Sequence, residues 1–267
     1  MTSHRLLQIN VNHSARAQDL LIQAMAEWNI EVAIVAEPYA VPPADNRWRG
    51  DTAGLVAIVS KGGSAASSFV PVSRSKSYVA CRWGNRAVVG VYISPNISPG
   101  DFEAKIEEIE RVVRCLQPGW LLVAGDFNAK SVDWGCPVTD TRAKLLGDWA
   151  AALDFHVINR GLVPTCVAAR GSSIVDITMG FPEAHGEVTD WSVSDEKTLS
   201  DHRYIVMEIS SPGPVREPCA RPEKSEGAPP RWSLKRLDGD MAMAAAIAKS
   251  WEVTPEEGDF DVKEEAA

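Results

Sequence analysis

The feature that most constrains this chain is where its apolar runs stop. Val32-Ala33-Ile34-Val35-Ala36 is unbroken and is followed at once by Glu37. Trp120-Leu121-Leu122-Val123-Ala124 is a second such run, followed by Gly125-Asp126-Phe127-Asn128. Apolar runs of this length without alternation predict strands covered on both faces. A chain of 267 residues, 45% of them hydrophobic, is long enough to bury them in one large domain. Residues 5–11, where apolar and polar positions alternate, read as another strand, as do 54–60, 77–83, 86–93, 174–179, 187–193 and 203–209. Helices are predicted over 15–28, 101–117 and 141–154. Phe102, Ile106, Ile109, Val113 and Leu116 share one face of the second, and Pro118-Gly119 stops it. Several strands follow one another with no helix between them. A simple wound sheet does not show that. The pattern predicts an α/β fold, a four-layer sandwich of two mixed β-sheets packed face to face with helices outside.

The character changes after Ser211. Prolines stand at 212, 214, 218, 222, 229 and 230, which predicts an extended linker. A short helical stretch, 237–251, and an acidic tail follow, so the domain is expected to span 1–211 and the remainder, 212–267, to be largely flexible. The formal net charge is -9. Residues 212–267 hold 8 Lys and Arg against 12 Asp and Glu, which leaves 19 against 24 for 1–211 out of 27 and 36 overall. A bound divalent cation reverses local charge, so an acidic sum does not exclude a phosphodiester substrate. The five cysteines are widely spaced with no C-x-x-C pair, against a disulfide framework or zinc cluster. No stretch approaches the roughly 18 apolar residues of a membrane span, and the start lacks a signal peptide's apolar core. These features read as a soluble, intracellular chain with no membrane partner.

Candidate chemistry lies at strand ends. Asn10 sits within an apolar strand, Glu37 and Asp126 end others, and Asn128 follows Asp126. Asp176 interrupts Ile174-Val175-Asp176-Ile177, and Asp201-His202 precede Tyr204-Ile205-Val206. Each alone reads as a turn former or a solvated terminus. Together, at corresponding places in successive strands, acids, amides and a histidine suit a hard divalent metal and a phosphate. Ser200, Asp201 and His202 are consecutive and cannot converge as a hydrolase triad from an extended strand. No G-x-S-x-G, P-loop or H-E-x-x-H is present.

Gln8-Ile9-Asn10, Glu37, Tyr92, Gly125-Asp126-Phe127-Asn128, Ser173-Ile174-Val175-Asp176 and Ser200-Asp201-His202, in this order and spacing, resemble the endonuclease/exonuclease/phosphatase superfamily. Within it the chain is most similar to the apurinic-endonuclease-like domain of insect non-LTR retrotransposons that insert at fixed sites, in telomeric repeats or ribosomal DNA. Arg231-Trp232-Ser233-Leu234-Lys235-Arg236-Leu237-Asp238 resembles the connector towards the reverse transcriptase of such elements. The resemblance implies a DNase I-like fold and a Mg²⁺-dependent nick, with Mn²⁺ able to substitute, leaving a 3′-hydroxyl that primes reverse transcription. It implies that Glu37, with Asn10 and Asp201, holds the metal. Asp126 and Asn128 would align water, His202 oriented by Asp176 would donate to the phosphate, and Tyr92 would contact it. The partners implied are double-stranded DNA and a reverse transcriptase domain of the same polyprotein, and the place of action is the nucleus.

There are departures from the repair-type pattern. Asn12 stands where repair members often carry aspartate, and Tyr92-Ile93-Ser94-Pro95-Asn96 is one residue longer than their Tyr-x-Pro-Asn. Simple nicking is therefore favoured over abasic-site repair. For DNA contact the sequence offers Asn12, Ser200 and the segment Thr165–Ser172, a predicted hairpin with Arg170 at its tip. Arg74, Lys76, Arg82 and Arg86 form a local basic cluster, read either as a solvated strand face or as a phosphate track. The competing functions are a phosphatase or phosphodiesterase of the same superfamily and a DNA-docking module without catalysis.

Overall fold

The computed structural model describes residues 3–62, 69–117, 119–169 and 171–210. The chain divides into two units, Met1–Val215 and Arg216–Ala267. The expected linker, helix and tail at 212–267 lie outside the described residues, as do Pro118 and Arg170.

Two parallel strand pairs organise the domain. The first is β1 (Ser3–Asn10) beside β2 (Val32–Ala36), joined by α1 (Ala15–Glu27). Ser14 caps α1 by accepting from the Ala17 amide, and Ala17, Leu21, Ala24 and Met25 form its buried stripe. After β3 (Trp48–Gly50), β4 (Val56–Ser60), β5 (Phe69–Arg74) and β6 (Tyr78–Trp83) comes the second pair. This is β7 (Arg86–Tyr92) beside β8 (Leu121–Asp126), joined by α2 (Pro99–Leu116). The chain continues through α3 (Thr141–Ala152), β9 (His156–Val157), β10 (Cys166–Ala168), β11 (Gly171–Ser173), β12 (Asp176–Gly180), α4 (Pro182–Glu187), β13 (Val188–Val193) and β14 (Ile205–Ser210).

The strands form two six-stranded mixed sheets, ordered β13-β14-β1-β2-β4-β3 and β5-β6-β7-β8-β12-β9, with β10-β11 a separate hairpin. Alternation along the strands sorts the core into layers. Val32, Ile34 and Ala36 of β2 meet Val88, Leu122 and Ala124 between the sheets. Ala33 and Val35 face α1, while Val89, Val91, Leu121 and Val123 face α2 and α3. The α/β sandwich predicted from the sequence is the architecture observed.

Several predicted elements change. β1 buries its polar residues: Gln8 and Asn10 point between the sheets, where Gln8 donates to the Gly125 carbonyl at 3.1 Å and accepts from Thr178 at 2.9 Å. The strand predicted at 174–179 begins only at Asp176, because the Thr165 hydroxyl accepts the Val175 and Asp176 amides. β5 was not predicted; it is an exposed edge strand carrying Pro71 and a register shift, which hides its period. The basic cluster is split by the sheet. Arg74 ends β5 next to the turn that bonds Tyr92, whereas Arg82 and Arg86 sit at the opposite end. Arg86 is buried between Trp83 and Trp120 and paired with Glu187, so it is no phosphate contact.

One glycine is structurally required. Gly125 adopts φ +154°, and a Cβ there would lie 1.9 Å from the Val91 carbonyl oxygen on β7. Gly125→Ala is expected to cost about 3 kcal/mol or more, because the clash is with backbone that cannot turn aside. Urea unfolding measures it; a loss below about 1 kcal/mol would mean that β7 and β8 part more easily than their register implies.

Candidate active site

Both parallel pairs end at the same edge of the sandwich. Asn10 lies beside Ala36 in one pair, Tyr92 beside Asp126 in the other, and Asp176 lies directly across from Asp126 on β12. Asn10, Glu37, Tyr92 and Asp126 line a cleft of about 520 Å³, together with Asn12, Ser94, Asn96, Asn128, Asp201 and His202.

The Asn10 amide links the two sheets. Its nitrogen donates to Glu37 Oε2 at 2.9 Å and to Asp126 Oδ2 at 2.9 Å, while its oxygen accepts the Asn12 amide at 2.8 Å. The Tyr92 hydroxyl donates to Glu37 Oε1 at 2.5 Å. Burial and the Glu37 carboxylate both hold the Tyr92 phenol well above its ordinary range, so it remains a donor. Asn128 gives its backbone amide to Asp126 Oδ1 at 3.0 Å and its side-chain amide to the Ile93 carbonyl at 3.1 Å.

Deeper in the cleft, two acids face one base. Asp176 Oδ2 bonds His202 Nδ1 at 2.8 Å, and His202 Nε2 stands 3.9 Å from Asp126 Oδ2. Burial works against a charged imidazole, but the Asp176 carboxylate more than offsets it and the His202 pKa is pushed up to about 11. Burial first, then the charge of Asp176, pushes the Asp126 carboxyl up to about 7. Asp126, Asp176 and His202 each place a potential ligand atom within 4.8 Å of the others. The carboxylate and amide oxygens at the cleft, those of Glu37 and Asn10 among them, are hard donors appropriate to a divalent ion.

Four non-glycine residues at the cleft have positive φ: Asn12 at 49°, His13 at 53°, Glu37 at 46° and Asn128 at 48°. Backbone held there is strained and persists where its surroundings over-determine it. His13 has no signal in the sequence. Its amide donates to the Glu37 carbonyl at 2.8 Å, and its Nε2 lies 3.5 Å from Glu37 Oε1.

Other expected residues fall differently. Asp201 is exposed at the rim and makes no hydrogen bond to Glu37 or Asn10 among the described residues. Ser200 was expected to contact DNA, but its hydroxyl donates to the Asn10 carbonyl at 2.7 Å and accepts the His202 amide. Thr165, given the same role, is fully buried and holds the backbone before β12, so it lies beneath the surface. The hairpin is real: Cys166 pairs with Ser173, Val167 with Ser172 and Ala168 with Gly171. Arg170 itself lies outside the described residues. Asn12 is exposed on the cleft wall.

Residues 87–206 match the protein-family model described as Endonuclease-reverse transcriptase. No curated protein matches the chain. Among solved structures, the endonuclease domain of TRAS1, a telomere-specific non-LTR retrotransposon, is similar at 28% identity and a TM-score of 0.68, over 78% of this chain and 98% of that one. An AP endonuclease from Archaeoglobus fulgidus shares the fold at 17% identity and a TM-score of 0.59, over 78% of this chain and 100% of its own. The 3′ phosphatase NExo from Neisseria does so at 15% identity and a TM-score of 0.59, with the same coverage. The family match, together with the likeness to the TRAS1 domain, supports a member of the endonuclease/exonuclease/phosphatase superfamily. It is a hydrolytic enzyme of the nuclease kind that resembles that retrotransposon domain.

The buried charges make stability depend on pH. In the unfolded chain Asp126 titrates near 3.8 and His202 near 6.5. Folding raises both, so both favour the fold when protonated. The Asp126 contribution is full below about 3.8 and lost as pH rises through about 7; that of His202 is full below about 6.5 and lost through about 11. Asp126→Asn removes the first. In EDTA, the Tm of the variant relative to wild type should rise by several degrees between pH 4 and pH 8. A difference that stays constant with pH would show that Asp126 ionises as readily folded as unfolded.

Proposed function

We propose that this chain is a Mg²⁺-dependent endonuclease that nicks double-stranded DNA, the freed 3′-hydroxyl priming a reverse transcriptase domain of the same polyprotein in the nucleus. The observation that carries the reading is the Asn10 amide joining a carboxylate from each sheet at one cleft. Residues 1–211 are assigned this activity, and 212–267 the connection to the polymerase.

Glu37, Asn10 and Asp201 would hold the Mg²⁺, with Mn²⁺ a substitute. When bound, the ion supplies positive charge to the phosphate oxygens. Asp126 accepts a proton as water attacks phosphorus, a role suited to a carboxyl titrating near neutrality. Asn128 positions that water and a phosphate oxygen. The His202 imidazolium, kept charged and oriented by Asp176, donates to the phosphate as negative charge builds up. The Tyr92 hydroxyl is a second donor. The P–O3′ bond breaks and O3′ takes a proton from solvent, giving a 3′-hydroxyl and a 5′-phosphate.

Supercoiled plasmid should be nicked with Mg²⁺ and spared with EDTA. Glu37→Ala and His202→Ala should each slow nicking at least about 100-fold while keeping normal circular dichroism. Nicking that survives EDTA, or phosphate release from inositol phosphates in place of nicks, would overturn the assignment.

Arg74 and Lys76 supply the backbone contact on this reading. Both are exposed beside the turn whose Ser77 carbonyl accepts the Tyr92 amide, and neither forms an ion pair among the described residues. Replacing both with alanine should weaken plasmid binding similarly for all sequences and lower the salt slope by about 1 per residue. Filter binding from 50 to 200 mM salt reads this; an unchanged slope returns the two to a solvated strand end.

A further inference from the structure

Arg142, in the first turn of α3, directs its charge at main chain. Nη1 donates to the carbonyls of Ser94 at 3.0 Å and Asn128 at 3.5 Å. Nη2 donates to those of Pro95 at 2.9 Å and Ile97 at 2.7 Å. Its guanidinium also lies 5.4 Å from the Phe102 ring of α2. Among the described residues it forms no salt bridge with a carboxylate, and no other side chain bonds these four carbonyls.

The loops it joins are the two that wall the cleft beyond β7 and β8. Residues 93–98 follow Tyr92 and present Ser94, Pro95 and Asn96; the other loop carries Asn128. Both leave the ladder after one further backbone bond each, from Ile93 to the Asp126 carbonyl and from Phe127 to the Val175 carbonyl. A charge-assisted bond is about twice as strong as a neutral one, and a planar fork reaches several acceptors at once. The Asn128 side chain continues the tie through the Ile93 carbonyl, from a backbone at φ 48° that needs such support.

We propose that Arg142 is a positioning residue for phosphodiester hydrolysis, clamping loop 93–98 to the Asn128 turn without itself touching substrate. The inference rests on the nuclease reading. Lysine cannot replace it, since a single ammonium cannot satisfy four oxygens spread across a plane.

The full chain, as Arg142→Ala and Arg142→Lys, should be assayed on supercoiled plasmid with Mg²⁺ at saturating protein, well below each variant's Tm. Both should lower the single-turnover rate roughly 10- to 100-fold, since misplaced groups lose rate steeply. Plasmid affinity in EDTA should stay within about twofold of wild type, because these are not phosphate contacts. Added guanidinium ion should restore part of the Arg142→Ala rate and none of the Arg142→Lys rate, which a general loss of stability would not do. Hydrogen exchange should quicken in peptides covering 93–98 and 127–131 and hardly elsewhere. If Arg142→Ala does not fold, Arg142→Lys carries the rate, affinity and exchange comparisons. A rate within about threefold of wild type, weakened binding at an unchanged rate, or unchanged exchange in these loops overturns the proposal. Exchange needs no catalysis: a wild-type chain that nicks nothing sinks the nuclease reading, and the exchange result still decides the clamp.

Discussion

One amide holds the two halves of the site together. Asn10 donates one hydrogen to a carboxylate of its own sheet and the other to a carboxylate of the facing sheet. Without it, the carboxyl groups of Glu37 and Asp126 would face one another unbridged at the edge of the sandwich where the cleft opens. The same problem recurs one strand further on. Asp176 sits directly across from Asp126 in an antiparallel ladder, where facing like charges destabilise. The His202 imidazolium resolves it, bonded to Asp176 and standing close to Asp126. Site and fold are thus held by the same bonds.

The topology explains why these residues meet. Each half contains a strand–helix–strand unit with a parallel pair, β1-α1-β2 and β7-α2-β8. A parallel pair places both carboxyl ends on one side, and packing the sheets face to face brings the two sets of ends together. Asn10 and Glu37 come from one unit, Tyr92 and Asp126 from the other. The antiparallel strand β12 then adds Asp176 from its amino end. Gln8, one turn of the pleat below Asn10, bonds across to β8 and β12 and keeps the seam in register.

The sequence discloses the parts of this arrangement that depend on burial. Apolar runs 32–36 and 120–124 appear as β2 and β8, and the three long amphipathic helices appear within a few residues of their predicted ends. Their polar terminators are legible because an acid at the end of a buried strand is costly unless it has a task. Features that depend on contact across the chain are not legible. β3, β5 and β9 are short or exposed, so no periodicity marks them. Thr165 reads as a hairpin arm, yet it is buried because its hydroxyl replaces a missing ladder bond. The proximity of Arg74 and Arg86 in sequence says nothing of the sheet length that separates them. His13 and Arg142 act through the backbone of distant segments, and no local pattern announces that.

Several arginines here bond the main chain or packed side chains. Arg86 lies between two indoles with Glu187, Arg160 bonds the carbonyls of Val188 and Thr189, and Arg142 holds two loops. They hold the scaffold, while Arg74 and Lys76 are exposed. On the nuclease reading, exposed cations such as Arg74 and Lys76 supply the salt-dependent share of DNA affinity. Phosphate contacts carry no sequence, so discrimination falls to contacts that depend on the target, through base edges or through the ease with which a groove deforms. On the same reading the β10–β11 hairpin, a separate two-stranded element bridged to His202 through Cys166 and with Val167 exposed, is the element assigned such contacts. On this reading the phosphates position the enzyme and the shape of the target discriminates.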